Sequence, residues 1–178
     1  MYARPFVPLS WPACARASMI RVRPAKKGDL DDVVAMASRL AVAVADPVPK
    51  MLKRTIAAAL FGPDRWAECF VAVDGVTIIG FATASRYFEA HTGKRQLRIA
   101  DFFVDDSTRG AGVGRSLFAR LLSRAQALHC DEIAWEVWKQ NLSAYGFYER
   151  MGAQHINDVT TMRLQLGVAA SRHNLRSS

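Results

Sequence analysis

Asp101-Phe102-Phe103-Val104-Asp105-Asp106-Ser107-Thr108-Arg109-Gly110-Ala111-Gly112-Val113-Gly114-Arg115 is the stretch whose reading decides the fold. Its apolar start reads as the end of a strand, Asp105 to Thr108 as a polar turn, and the segment from Arg109 as the opening of a helix. Beyond it Val113, Leu117, Leu121, Leu122, Ala125 and Leu128 recur at helical spacing, and the pattern leaves Ser116, Arg120 and Arg124 on the solvated face. A strand that feeds a helix through glycines presents unsatisfied backbone N–H groups at the positive end of the helix dipole. Glycine also permits the left-handed backbone angles that bring the main chain close to a ligand. This arrangement favours a phosphate cradle, with Arg109 and Arg115 adding charge around it.

Working outward, Ile20 to Arg23 alternates as a short strand, and Leu30, Val33, Val34, Met36, Ala37, Leu40 and Ala41 form the stripe of a first helix. Asp46-Pro47-Val48-Pro49 ends it, and a second helix is expected from about Lys50 to Phe61. Glu68 to Val73 and Val76 to Ser85 flank Asp74-Gly75 as a hairpin, with Gly80 a bulge or close-packing point. Gly93-Lys94 then marks a turn before Leu97 to Val104. After the long helix come a strand at Glu132 to Trp138, a helix at Asn141 to Met151 closed by Gly152, and an alternating strand at Thr160 to Leu166. The expected order is β-α-α-β-β-β-α-β-α-β, an α+β fold with a mixed, mostly antiparallel sheet of six to seven strands flanked by about four helices. Residues 19–167 make the domain, residues 1–18 a flexible extension and residues 168–178 a basic tail.

The 178 residues, 51% hydrophobic and 22% charged, exclude collagenous and disordered classes. Cys14, Cys69 and Cys130 are odd in number and lack metal-ligand spacing, so no metal is expected and a reduced, cytoplasmic chain is. No apolar run approaches the ~18 residues of a membrane span. Pro5, Pro8 and Pro12 break the apolar stretch that would otherwise mimic an export signal. Twenty-four Lys and Arg against sixteen Asp and Glu give +8, which favours anionic partners; nucleic acid is not expected, because no stripe of interleaved aromatic and basic residues accompanies the charge. The glycine turn itself fits neither common nucleotide fold. Arg115-Ser116 stands where a Walker loop needs Lys, and the turn follows a run of antiparallel strands rather than an early βαβ unit.

Arg109-Gly110-Ala111-Gly112-Val113-Gly114 is similar to the R/Q-x-x-G-x-G/A element of the GCN5-related N-acetyltransferase (GNAT) superfamily. About thirty residues on, Asn141 to Ala153, with Ala144, Phe147, Tyr148 and Gly152, resembles that superfamily's N-x-x-A-x-x-F/L-Y-x-x-x-G element, and two ordered motifs are more specific than one. The resemblance implies acetyl-CoA as cosubstrate, its pyrophosphate on the amides of Gly110, Ala111, Gly112, Val113, Gly114 and Arg115. The pantetheine arm would lie between splayed strands beside Phe102, Phe103 and Val104, where the amide near Val104 could polarise the thioester carbonyl. Phe102 and Phe103 read equally as strand core, and Asn141 as either a contact to the pantetheine arm or a helix cap.

Transfer to an amine needs a proton acceptor for the nucleophile and an acid for the departing thiolate. The resemblance gives Tyr148 as the acid. Asp101-Phe102-Phe103-Val104 with Phe147-Tyr148 is similar to the diamine (spermidine/spermine) N1-acetyltransferases, yet Ala100 stands where those enzymes carry a glutamate. Glu136, twelve residues before Tyr148, resembles the strand-five glutamate of ribosomal-protein N-terminal acetyltransferases and is the candidate base. Period two places it with Glu132, Ala134 and Trp138, whereas Asp101 is second choice unless a bulge alters its face. Of Trp135 and Trp138, one is expected in the core and the other in a cleft. His91, His129, His155, His173 and Cys130 receive no role. The expectation is therefore an acetyl-CoA-dependent N-acetyltransferase acting on a small diamine, polyamine or amino-acid-like amine, in a superfamily where homodimers are common. Alternatives are a protein N-terminal amine as acceptor, or a non-catalytic acyl-CoA-binding module.

Overall fold

Glu68–Asp74 (β2) and Thr77–Glu89 (β3) are rich in β-branched and aromatic residues and pair antiparallel across Gly75-Val76, where Gly75 takes φ +59°. Ile20–Pro24 (β1) adds to the outer side of β2, and Lys94–Val104 (β4) continues the meander after Gly93. Glu132–Trp135 (β5) joins β4 in parallel, which gives a five-stranded sheet in the order β1-β2-β3-β4-β5. The computed structural model describes residues 20–50, 52–157 and 159–164. They fall into two compact units, one ending at Trp138 and the other beginning at Lys139.

In the first unit, helices cover both faces of the sheet. Leu30–Ala43 (α1) and Leu52–Phe61 (α2) place Val33, Met36 and Leu60 against Cys69, Val71, Val73, Ile78, Phe81 and Phe103. Val113–Ala127 (α3) buries Val113, Leu117, Phe118, Leu121 and Ala125 on the opposite face. Gly80 shows why α3 can lie so close. A Cβ there would stand 2.9 Å from the Phe103 carbonyl oxygen, 3.1 Å from Leu117 Cδ1 and 3.3 Å from Val113 Cγ1. The register shifts beside it, with Ala72 opposite Gly80 and Val73 opposite Ile78, so the extra residue of the bulge is Ile79 and Gly80 is the close-packing point.

The solvated face expected of α3 is corrected. Arg124 Nε and Nη2 each donate to Glu68 at 2.6 Å, and the Arg120 guanidinium lies over Phe70 at 5.2 Å, so long aliphatic stems return these charges to the sheet. Periodicity sorts apolar from polar positions, but it does not say where a long arginine side chain ends.

In the second unit, Leu142–Glu149 (α4) is followed by a turn in which Gly152 takes φ +82°. His155 stacks on Tyr145 with ring centroids 5.1 Å apart and meets Glu149 at 3.0 Å. The expected strand at Thr160 to Leu166 is not formed over its described part: residues 160–164 carry no strand bonding, and Met162 and Leu164 are exposed. Alternation describes side chains and does not itself supply a partner backbone. The sheet of the described residues is accordingly smaller than the six to seven strands expected. Residues 165–166, Cys14, the extension at 1–18 and the tail at 168–178 lie outside the described residues.

Candidate functional site

Strand β4 carries the site because it outruns its neighbour. The parallel ladder to β5 extends from Gln96/Glu132 to Ile99/Trp135, while β4 continues to Val104. Immediately past the ladder Ile99 pairs with Ala84 and Asp101 with Thr83, which leaves Ala100 as the extra residue of a bulge. The bulge turns Asp101 toward Thr83: the Thr83 hydroxyl donates to Asp101 Oδ2 at 2.5 Å and accepts from the Asp101 amide at 3.2 Å. Beyond it the side chains separate by face. Phe102 meets Phe118 of α3 at 6.4 Å between centroids, and Phe103 meets Phe81 on the α1 face at 6.5 Å. Phe103 is buried in the core, and Phe102 is half-buried against α3.

From Val104 the chain turns on Asp105. Its Oδ1 accepts from the Ser107 amide at 3.0 Å and the Ser107 hydroxyl at 2.7 Å, its Oδ2 accepts from Arg39 at 2.5 Å, and its amide donates to the Ile79 carbonyl at 2.9 Å. Arg39 and Ser107 hold this carboxyl well below the usual range. The same guanidinium lies 5.3 Å from the Phe103 ring centroid, so one α1 side chain ties strand end and turn together. Sequence reading passed over Asp105 and Arg39. The Asp-x-Ser spacing was the available signal for an Asx turn, whereas Arg39 is far away in sequence and carried none.

The turn then presents the glycines. Gly110 has φ +81° and Gly112, the residue before α3, φ +87°, and a Cβ at either would meet no atom within 4 Å. Glycine is required here by backbone angle, and the space above it is open. The first bond into α3 runs from the Ser116 amide to the Gly112 carbonyl at 3.0 Å, so the amides of Val113 and Gly114 belong to the turn that has no intrahelical acceptor. Donors at the positive end of a fifteen-residue helix, under open space, fit an anionic group such as a pyrophosphate. Arg109 is exposed and pairs with Asp106 at 2.6 Å, and Arg115 is exposed on the first turn. Among the described residues no group of three or more His, Cys, Asp or Glu side chains is placed to hold a metal ion, and no helix is long and apolar enough to cross a membrane.

The expected base lies elsewhere than its alternation implied. β5 ends at Trp135, so Glu136 and Trp138 follow the strand instead of continuing it, and both are exposed. Trp135 packs edge-on against Phe118 at 5.3 Å and is half-buried, the less exposed of the tryptophan pair. Glu132 is engaged by Lys94 at 3.1 Å and Gln96 at 2.5 Å. Within the second unit, Asn141 caps α4, its Oδ1 accepting from the Ala144 amide at 3.2 Å and the Ser143 hydroxyl at 3.0 Å. Tyr148 is half-buried beside Phe147, and burial pushes its phenol up to about 12.

Two curated relatives resemble the chain. A thialysine N-epsilon-acetyltransferase of Bos taurus is 25% identical over 152 residues, covering 79% of this chain and 88% of the relative. An L-ornithine N5-acetyltransferase of Arabidopsis thaliana is 28% identical over 102 residues, covering 57% of this chain and 45% of the relative. Among solved structures, an integron cassette protein from the mobile metagenome of V. cholerae superposes with a TM-score of 0.70 at 24% identity, covering 84% of this chain and 94% of that one. An aminoglycoside acetyltransferase from an uncultured soil metagenomic sample gives 0.68 at 16% identity, covering 83% and 97%. These two share the fold. The family model described as acetyltransferase (GNAT) family matches residues 43–153, a span that runs from the end of α1 through the glycine turn to Ala153, and the chain belongs to that family.

Proposed function

We propose that this protein transfers an acetyl group from acetyl-CoA to a primary amine on a small molecule. The observation that carries the reading is the pair of left-handed glycines under open space before α3, next to a strand that continues past its parallel partner. In this reading the turn from Arg109 through Arg115 holds the pyrophosphate, and the exposed edge of β4 near Val104 meets the pantetheine arm and polarises the thioester carbonyl. Asn141 spends Oδ1 on its helix cap, which leaves its amide NH2 as the group it could offer a ligand.

For the chemistry, a phenol whose pKa is raised by burial stays protonated at neutral pH, which suits Tyr148 to donate to the departing thiolate. Glu136 serves as base through a water, its exposure giving solvent access, with Asp101 the second candidate. Attack by the neutral amine forms the C–N bond of a tetrahedral intermediate, its collapse breaks the C–S bond, the amine proton leaves to the base and the phenol proton to sulfur.

The reading of the acceptor as amino-acid-like is supported by two relatives, named for N-epsilon-acetylation of thialysine and N5-acetylation of L-ornithine. An amino-acid-like amine or a short diamine suits this chain better than a long polyamine, since a polycation calls for a lined acidic channel and the chain carries +8 with Ala100 at the bulge. Release of free thiol from acetyl-CoA should be followed with ornithine, thialysine, putrescine, spermidine and an N-terminal peptide. Turnover is expected with the first three. Acetyl-CoA binding without thiol release on any amine would make the chain an acyl-CoA-binding module, release on the peptide alone would move the acceptor to protein N-termini, and no binding would refute the reading.

A further inference from the structure

Away from the glycine turn, where β1 ends and β2 begins, lies a cavity of about 600 Å³. It is reached from different strands, and its α3 residue is Arg124 in the last turn, nine positions from Arg115 or about 14 Å along the axis. Its lining is strongly basic. Lys26, Lys27, Arg65 and Arg86 all border it, and the carboxylate in its wall, Glu68, is already bound at both oxygens by Arg124. Among the described residues, Lys27, Arg65 and Arg86 form no ion pair. Behind the Phe70 wall, Arg120 adds a further guanidinium whose Nε is buried without a hydrogen-bond partner.

The rim holds an aromatic platform. Trp66 is 81% exposed although its backbone is fixed, its amide donating to the Ala59 carbonyl of α2 at 2.9 Å. The chain reaches that position through Gly62, where a Cβ would come within 2.4 Å of the Ala58 carbonyl oxygen. The indole is thus presented by a tight, anchored turn. A planar ring is attracted to such a face, and cations gathered beside it attract negative charge. The volume falls within the roughly 300–1,000 Å³ of small-molecule sites.

From this convergence we propose that the cavity is a second ligand site, separate from the glycine turn, which takes a small planar aromatic molecule bearing a phosphomonoester. The ring lies on Trp66, and the phosphate meets Arg65, Arg86 and the lysines of the β1 end.

The test uses phenyl phosphate as probe, titrated calorimetrically into full-length protein saturated with CoA. Inorganic phosphate, benzyl alcohol and benzoate separate the contributions of charge, ring and phosphate valence. Binding at one site is expected, at least about tenfold tighter than inorganic phosphate and tighter than benzoate. Trp66→Ala should bring phenyl phosphate down to the inorganic phosphate level, and the double variant Arg65→Glu/Arg86→Glu should weaken it at least about tenfold. Gly112→Asp, in the other site, should leave it within about twofold. All three substituted cavity residues are exposed, and Lys27→Glu provides an independent arm should the double variant misfold. Absence of binding to the CoA-saturated protein, equal affinity for inorganic phosphate or benzoate, or indifference to both the tryptophan and the charge reversals would overturn the proposal.

Discussion

Gly112 shows how a single backbone angle is tied to a function. Any side chain at φ +87° meets a conformational penalty of about 1–2 kcal/mol, although no atom obstructs it. Gly112→Ala should lower the unfolding free energy by that amount, and Gly112→Asp should weaken acetyl-CoA binding at least about tenfold by setting a carboxylate against the phosphate of the proposed site; denaturant unfolding reads the first and calorimetry the second. Tyr148 makes a pH prediction. Its phenol is raised by burial to about 12, so the fold favours the protonated form; the associated stability is present below the ordinary tyrosine value of about 10 and declines as pH rises toward 12. In catalysis, Tyr148→Phe is expected to lower kcat by about 10- to 100-fold, with the KM for acetyl-CoA nearly unchanged and the alkaline limb of the pH profile removed. Asp105 behaves oppositely. Its pKa is depressed, so the Arg39 contact stabilises above about pH 4 and is lost as acid protonates the carboxyl. Urea midpoints of wild type and Arg39→Ala should therefore converge between pH 7 and pH 2.5. At this scale the glycines were legible in sequence because their freedom is intrinsic, and the Arg39 contact was not, because it joins residues 66 positions apart.

Elements were easier to read than their limits. Apolar spacing announced α1 and α3, and the glycine punctuation placed β2, β3 and β4, since these patterns coincide with packed faces. Glu136 illustrates the failure: its alternation with Glu132 and Ala134 holds only while the backbone stays extended, and β5 stops at Trp135. The bulge at Ala100 was similarly invisible, because an extra residue is defined by the partner strand. The seat of α3 on the sheet yields a direct test. Gly80→Ala pushes a methyl against the Phe103 carbonyl, Leu117 and Val113, and should cost about 1–3 kcal/mol in denaturant unfolding. Phe118→Ala removes the ring shared by Phe102 and Trp135 and should cost about 3–5 kcal/mol.

Among the described residues, part of the positive charge is engaged in ion pairs: Arg23 holds Asp29, Arg39 holds Asp105, Lys94 holds Glu132 and Arg124 holds Glu68. The remaining excess suits polyanionic ligands, and raising salt from about 0.05 to 0.5 M should increase the KM for acetyl-CoA several-fold while thermal stability changes little. The early end of the β4–β5 ladder has a separate consequence for solvent isotope labelling. Main-chain hydrogens between Ala100 and Val104 that face away from β3 have no ladder to shelter them, so in heavy water they should trade for deuterium sooner than those at Gln96 to Ile99. If the pantetheine arm lies along this strand edge as proposed, adding the thioester should slow that trade along the same five residues and leave the mass of the β1–β2 peptides unchanged.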